Sequence, residues 1–250
     1  MPVSPNLVGA KLVPHDAMHT LALPLFGSVS STCTCLLPDP ASRAAAPTDP
    51  VDHRLERDLA HLRRPGLQLT HVLETHVHAE HITSAGKLCA RTGAVSAAPG
   101  ACGIAPARLQ LGDGAAVRFG AAETIAALHT PGHTAGGMRC LWRGKLCTGD
   151  TLLIDGCGRT DVQGGSAAAL YDSVTTRLFT LPGATRVWKG HDYHGQSVST
   201  IGWERAHNAR LAGRDRDAFS ALMAQPDLPK PTLLDGAVPA NRNLGLPHGV

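Results

Sequence analysis

Aromatic residues make up only 4% of the chain, and its Lys and Arg residues are scattered, so it has neither a stacking platform nor a basic stripe. Nucleic acid is therefore excluded as an expected partner. No apolar run approaches the ~20 residues that cross a bilayer, which argues against a membrane protein. None of the seven cysteines (33, 35, 89, 102, 140, 147, 157) forms a C-x-x-C pair, and their number is odd. Neither a disulfide framework nor a zinc knuckle follows, and reduced thiols are the simplest account. The opening "MPVSPNLVGAKLVPHDAMHT" has no charged segment leading into an apolar one, and it is not an Arg-rich amphipathic leader. A cytoplasmic protein is expected. A net charge of +3 leaves small molecules as the better class of partner.

What is present is a 43% hydrophobic chain of 250 residues, enough to bury a sizeable core. "LALPLF" and "STCTCLL" have strand composition, and the Pro/Ala-rich "PDPASRAAAPTDP" reads as a loop. Leu55, Leu59 and Leu62 are spaced as one helical face, closed by Pro65-Gly66. "LTHVLETH" is a buried strand, and "ITSAGKLCARTG" a helix with Gly93 at its end. "LQLGDGAAVRFG" predicts a hairpin at Asp113-Gly114, and "MRCLWRGKLCTGDTLL" a second at Arg143-Gly144. The last third adds helices over "SAAALYDSVTTRLFTL", about 197–212 and 217–224, with a strand in "TRVWKGH". Two strand-rich halves, each accompanied by helices, predict an α/β (α+β) protein built as an αββα four-layer sandwich. The expected division is an N-terminal extension (1–20), a catalytic domain (21–225) and a Pro-rich tail wrapped on it (226–250).

Histidine carries the chemical signal. Six of the fourteen fall in three short stretches where a predicted strand gives way to a turn: His76, His78 and His81 in "ETHVHAEHIT", His133 in "HTPGHTAGG", and His191 and His194 in "GHDYHG". Asp150 in "CTGDTLL" ends a fourth strand. A lone histidine on a strand is more often structural. Imidazoles and a carboxylate gathered at several strand ends are instead the donor types that zinc or ferrous iron takes. In an extended backbone His76 and His78 would project to one side.

These stretches resemble the metallo-β-lactamase superfamily, from about Leu21 to Arg210. "ETHVHAEHITSAG", "TGDTLLIDGCGRTDVQGG", "LYDSVTTRLFTLPG", "HDYHGQSVSTIGWERAHNARL" and "LPKPTLLDGAVPAN" are similar to its persulfide dioxygenase branch, also called sulfur dioxygenases. The resemblance implies the metallo-β-lactamase fold and one iron(II) per chain, held by His76, His133 and Asp150. It implies glutathione persulfide as substrate, oxidised with O2 and water to sulfite and glutathione. His78, His81 and His191 are then expected to orient ligands or water, with His78, His191 and Tyr193 acting in catalysis. Arg159, Tyr193 and Cys157 are expected at the substrate. Arg159 suits either a glutathione carboxylate or an ion pair with Asp161 or Asp155, and Cys157 suits either the substrate wall or buried packing. Asp49 matches an Asp-Pro-Val element of the family, although "APT" before it departs from the apolar strand usual there.

The branch differs from the glyoxalase II thioesterases, which hold two metals and take a carboxylate at the position of Glu80. Glu stands there in place of the family's Asp, and its carboxylate is expected to hydrogen-bond beside the metal. A non-enzymatic metal or persulfide sensor is the alternative from another class. Oligomeric state, a homodimer included, is left open.

Overall fold

The computed structural model describes residues 23–247 apart from 28, 64, 65, 194, 196, 197, 226–228 and 230, so the expected extension over 1–20 and His194 lie outside the described residues. The first sheet comprises β1 (Leu23–Gly27), β2 (Thr32–Pro38), β3 (Ala44–Thr48), β4 (Gln68–Leu69), β5 (His71–Leu73), β6 (Val95–Pro99) and β7 (Leu109–Leu111). Its order is β1-β2-β3-β5-β6-β7, with β4 beside β3. The second comprises β8 (Ala116–Phe119), β9 (Glu123–His129), β10 (Met138–Trp142), β11 (Lys145–Gly149), β12 (Arg186–Lys189) and β13 (Ser199–Thr200), ordered from β13 down to β8.

Alternation along the strands builds the layers. Leu37, Ala44, Ala46, Leu73 and Ala97 of the first sheet meet Phe119, Ile125, Cys140, Trp142 and Trp188 of the second. Their chain neighbours Leu36, Ala45, Val72 and Ala98 point to the opposite face. There they pack against Leu55, Leu59 and Leu62 of α1 (Leu55–Arg63) and Leu88 of α2 (Ala85–Thr92). The outer face of the second sheet is covered by α3 (Ala167–Ser173), α4 (Ile201–His207) and α5 (Arg216–Met223), through Leu170, Ile201 and Phe219. A period of two thus sends successive apolar residues into different layers, and the αββα sandwich follows.

Four expectations differ from what the structure shows. The segment read as a loop contains β3, buried over its whole length and paired with β2 and β5. Alanine and proline are poor strand formers, but a strand covered on both faces takes its stability from packing, and small side chains fit there. Asp113-Gly114 does not close a hairpin: β7 pairs with β6, β8 pairs with β9, and the turn carries the chain from one sheet to the other. Asp113 Oδ1 accepts the His129 amide at 2.8 Å, which fastens the turn to the second sheet. The helix expected from 197 is shorter, because Thr200 caps α4 by accepting the Trp203 amide, and Asn208 leaves the helix to bond the Gly156 carbonyl. The tail, read as Pro-rich wrapping, contains α6 (Leu234–Arg242), and Leu244 beyond it joins the α1–α2 core. Arg143-Gly144 turns the β10–β11 hairpin as expected, with φ of 46° and 67°.

Candidate metal centre

Four strands deliver the site. β9, β11 and β12 run parallel to one another in the second sheet, so His133, Asp150 and His191 all follow C-terminal strand ends on one rim. β5 brings His76 to the same rim from the first sheet, and the Met138 amide, donating to the Thr75 carbonyl at 2.9 Å, ties the two sheets there. Beyond Leu73 the backbone leaves the strand, so the period-two argument for His76 and His78 fails. The two rings still lie close, with centroids 4.0 Å apart and planes tilted by 50°, but they face different carboxylates.

His76 Nε2 lies 4.0 Å and His133 Nε2 3.6 Å from Asp150 Oδ2. Donor atoms of these three residues lie within 4.8 Å of one another, a spacing that one cation spans. Both Nε2 atoms are buried, and neither has a hydrogen-bond partner among the described residues. A buried polar atom left so is costly unless something binds it. The donor set fits a metal.

The other ring nitrogens fix which atoms face the centre. His133 Nδ1 is 2.8 Å from the Arg159 carbonyl, which can only accept, so the proton sits on Nδ1 and the Nε2 lone pair is free. The Thr75 hydroxyl donates to Asp49 Oδ2 at 2.8 Å, leaving it to accept from His76 Nδ1 at 2.9 Å. The same logic frees His76 Nε2. Burial, then the neighbouring His78 and His133, hold the His76 imidazole well below its usual range and therefore neutral. Burial by itself would raise the Asp150 carboxyl, but His191, followed by His133 and His76, outweighs it and keeps Asp150 well below the carboxylate range. A neutral His76 imidazole and an ionised Asp150 carboxylate, with the unpartnered His133 Nε2 beside them, suit a cation.

Glycine lets these groups approach. A Cβ on Gly158 would lie 2.4 Å from the Asp150 carbonyl oxygen and 2.8 Å from His133 Nδ1. One on Gly190 would lie 2.8 Å from Asp150 Oδ1.

The remaining expected residues separate into two groups. His191 donates from Nδ1 to Asp150 Oδ1 at 2.7 Å, and the Tyr193 ring stacks on it with centroids 5.8 Å apart. His78 instead faces Asp49 at 3.1 Å and Glu74 at 3.6 Å, one layer behind the centre. Burial pulls His78 down, but Asp49 and then Glu74 outweigh it and push it up to about 9. His81 Nδ1 contacts the Thr32 hydroxyl at 3.3 Å. Asp49, Glu74 and His78 form a second buried group of donor types, and Glu80, Asp150 and His191 a third.

A cavity of about 550 Å³ opens over Asp150 and His133 and is walled by Glu80, Arg159, Lys189, Tyr193 and Arg210, among others. Glu80 Oε2 accepts the Ala79 amide at 3.1 Å. Arg159 pairs with both Asp161 oxygens at 2.7 and 2.6 Å and donates to the Pro229 carbonyl at 2.7 Å, so of its two expected roles the ion pair is the one observed. Cys157 borders the cavity, yet its thiol packs into the core 4.0 Å from Met223 Sδ, and burial pushes it up to about 12.

Three residues of this region were not read from the sequence. Thr75 relays Asp49 to His76, and its only signal was its place between two read residues. Arg139 is fully buried and donates to the Thr151 hydroxyl at 2.7 Å; burial lowers it to about 10 against the pull of Asp49 and Asp150. A lone cation in the apolar "MRCLW" was the available sign. Arg210 enters the cavity wall from beyond α4, and nothing in its local sequence announced it.

Comparison with known proteins accords with this geometry. The Metallo-beta-lactamase superfamily profile matches residues 47–191, and the chain belongs to that superfamily. It is 42% identical over 226 residues to "Persulfide dioxygenase ETHE1, mitochondrial" of Homo sapiens, covering 89% of this chain and 87% of the relative. The crystal structure of ETHE1 from Myxococcus xanthus superposes with a TM-score of 0.88 at 45% identity, covering 91% of this chain and all of that one (100%). The chain thus falls in the persulfide dioxygenase branch of the superfamily. A hydroxyacylglutathione hydrolase of Polaromonas sp. is 36% identical over 164 residues, covering 63% of this chain and 61% of the relative.

Proposed function

We propose that the protein is an iron(II)-dependent persulfide dioxygenase that converts glutathione persulfide, O2 and water to glutathione, sulfite and two protons. The observation that carries this reading is the pair of buried, unpartnered imidazole nitrogens of His76 and His133 converging with the Asp150 carboxylate. Two imidazoles and a carboxylate on one face are the ligand set of non-haem iron oxygenases. One iron held there by His76, His133 and Asp150 would supply the redox chemistry between a persulfide and O2.

The chain's own residues bind and position. His191 holds Asp150 by one oxygen and leaves the other directed at the imidazoles. Thr75 and the Arg159 carbonyl orient His76 and His133. His78 acts indirectly, by steadying the Asp49 that holds Thr75. Tyr193, 60% exposed at the cavity wall, offers its phenol to the substrate. Arg159 with its partner Asp161 shapes the wall that receives the glutathione moiety, and Cys157 lies behind it. Residues 21–225 form the catalytic domain and the tail packs on it. Among the described residues no helix is long and apolar enough to cross a membrane. A cytoplasmic location and a homodimer belong to the same proposal; cell fractionation and light scattering test them.

A second reading rests on the Glu80–Asp150–His191 group, which shares Asp150 with the first and offers the place for a second metal in a thioesterase. His191 has both ring nitrogens engaged, Nδ1 by Asp150 Oδ1 at 2.7 Å and Nε2 by the Thr32 hydroxyl at 3.4 Å, unlike the unpartnered Nε2 atoms of His76 and His133, which favours one iron. Metal analysis with oxygen consumption decides between them. One iron per chain with O2 uptake and sulfite release on glutathione persulfide is expected, whereas two metals with hydrolysis of a glutathione thioester overturn the dioxygenase.

A further inference from the structure

The metal-bearing loop is held from outside by a residue far away in the chain. The Asn241 side chain, 2% exposed on α6, donates from Nδ2 to the His78 carbonyl at 2.9 Å and to the His81 carbonyl at 2.8 Å. Its Oδ1 accepts the Thr83 amide at 2.8 Å. Both amide protons and the oxygen are thus used on one loop, which begins at His76 and carries Glu80. The turn after α6 lies against the same loop: Gly245, at φ 71°, would put a Cβ 1.9 Å from the Thr83 carbonyl oxygen. The Leu244 carbonyl accepts the Gly86 amide at 2.9 Å. Asn241 lies beyond residues 47–191, which the superfamily profile matches.

We infer that Asn241 is a positioning residue for the metal centre: the C-terminal helix clamps the loop from His78 to Thr83 and so sets where His76 and Glu80 stand. The inference rests on the iron reading above. Three hydrogen bonds from one amide specify the curvature of an irregular loop whose His78 and His81 carbonyls lie outside any strand pairing. Supports of this kind change metal affinity by about 10–100-fold when lost.

Asn241→Asp keeps shape and size but sets an oxygen against two carbonyl oxygens; Asn243→Ala, which removes bonds only to the Leu246 and Pro247 carbonyls, is the control. Wild type must first load one iron and turn over glutathione persulfide; if it does not, the functional reading fails whatever Asn241 does. Given that, the expected result for Asn241→Asp is ferrous iron held at least about tenfold more weakly, with a changed EPR signal of its nitric oxide adduct. KM for glutathione persulfide should stay within twofold, and Asn243→Ala should match wild type. Wild-type iron affinity and an unchanged nitrosyl signal in Asn241→Asp overturn the clamp alone. Should that variant not fold, hydrogen exchange on the wild type replaces it. Iron loading should then protect residues 234–246 together with 76–83, and indifference of 234–246 to iron overturns the inference.

Discussion

Asp49 grips Thr75 twice, taking the backbone amide on one carboxylate oxygen at 2.7 Å and the hydroxyl on the other at 2.8 Å. It does so from a left-handed backbone conformation, φ 51°, at the end of β3. Non-glycine residues are uncommon there, and such strain persists where surrounding contacts over-determine it. The hydroxyl so held is the one that accepts from His76.

Thr75→Val therefore tests the relay. The substitution keeps the shape, leaves His76 Nδ1 without an acceptor and removes one donor from Asp49. A loss of about 1–3 kcal/mol in stability is expected by thermal or denaturant unfolding of the metal-free protein. Iron affinity should fall by about 10–100-fold. Unchanged iron binding would show that the imidazole is oriented by packing alone.

Removing a ligand should have a larger effect than removing a support. His133→Ala and Asp150→Ala are expected to purify folded, without iron, and with oxygen consumption at background. His191→Ala keeps all three donors and should retain iron at reduced affinity, by about 10–100-fold. Titration with ferrous iron followed by oxygen electrode assays separates the two classes, and an iron-free His191→Ala would make His191 a ligand.

Glu80 touches a backbone amide and the cavity, with no assigned ligand duty. Glu80→Gln should leave iron at one per chain and alter turnover only severalfold. Metal content falling from two to one on this substitution would establish the dinuclear thioesterase arrangement.

Cys157 is expected to be inert. Burial pushes its thiol up to about 12, so almost no thiolate exists at pH 8, and its sulfur packs against Met223. Iodoacetamide should modify it only after unfolding, as read by peptide mass spectrometry. Rapid labelling of the native protein, with loss of activity, would place the thiol at the substrate.

The layers were legible in the sequence because each depends on near neighbours. The spacing of Leu55, Leu59 and Leu62 puts them on one helical face whatever lies opposite, and alternation in "STCTCLL" sends Leu36 and Leu37 to different layers. Histidines and an aspartate placed after strand ends likewise announce a site. β3 escaped notice because "AAAPT" has no strand-like composition, and its burial between two layers is not a local property. Asp113-Gly114 permits a turn without saying which sheet receives the chain next.

Which histidine faces Asp150 and which faces Asp49 and Glu74 was decided only in three dimensions. His76 and His78 are two residues apart and equally buried, yet one faces Asp150 and the other faces Asp49 and Glu74. Local chain geometry is set by residues within a turn or two, so composition, periodicity and strand ends could be read along the chain. Ligand roles depend on contacts between residues as far apart as His76 and Asp150, or His78 and Asn241, and those distances exist only once the two sheets have packed.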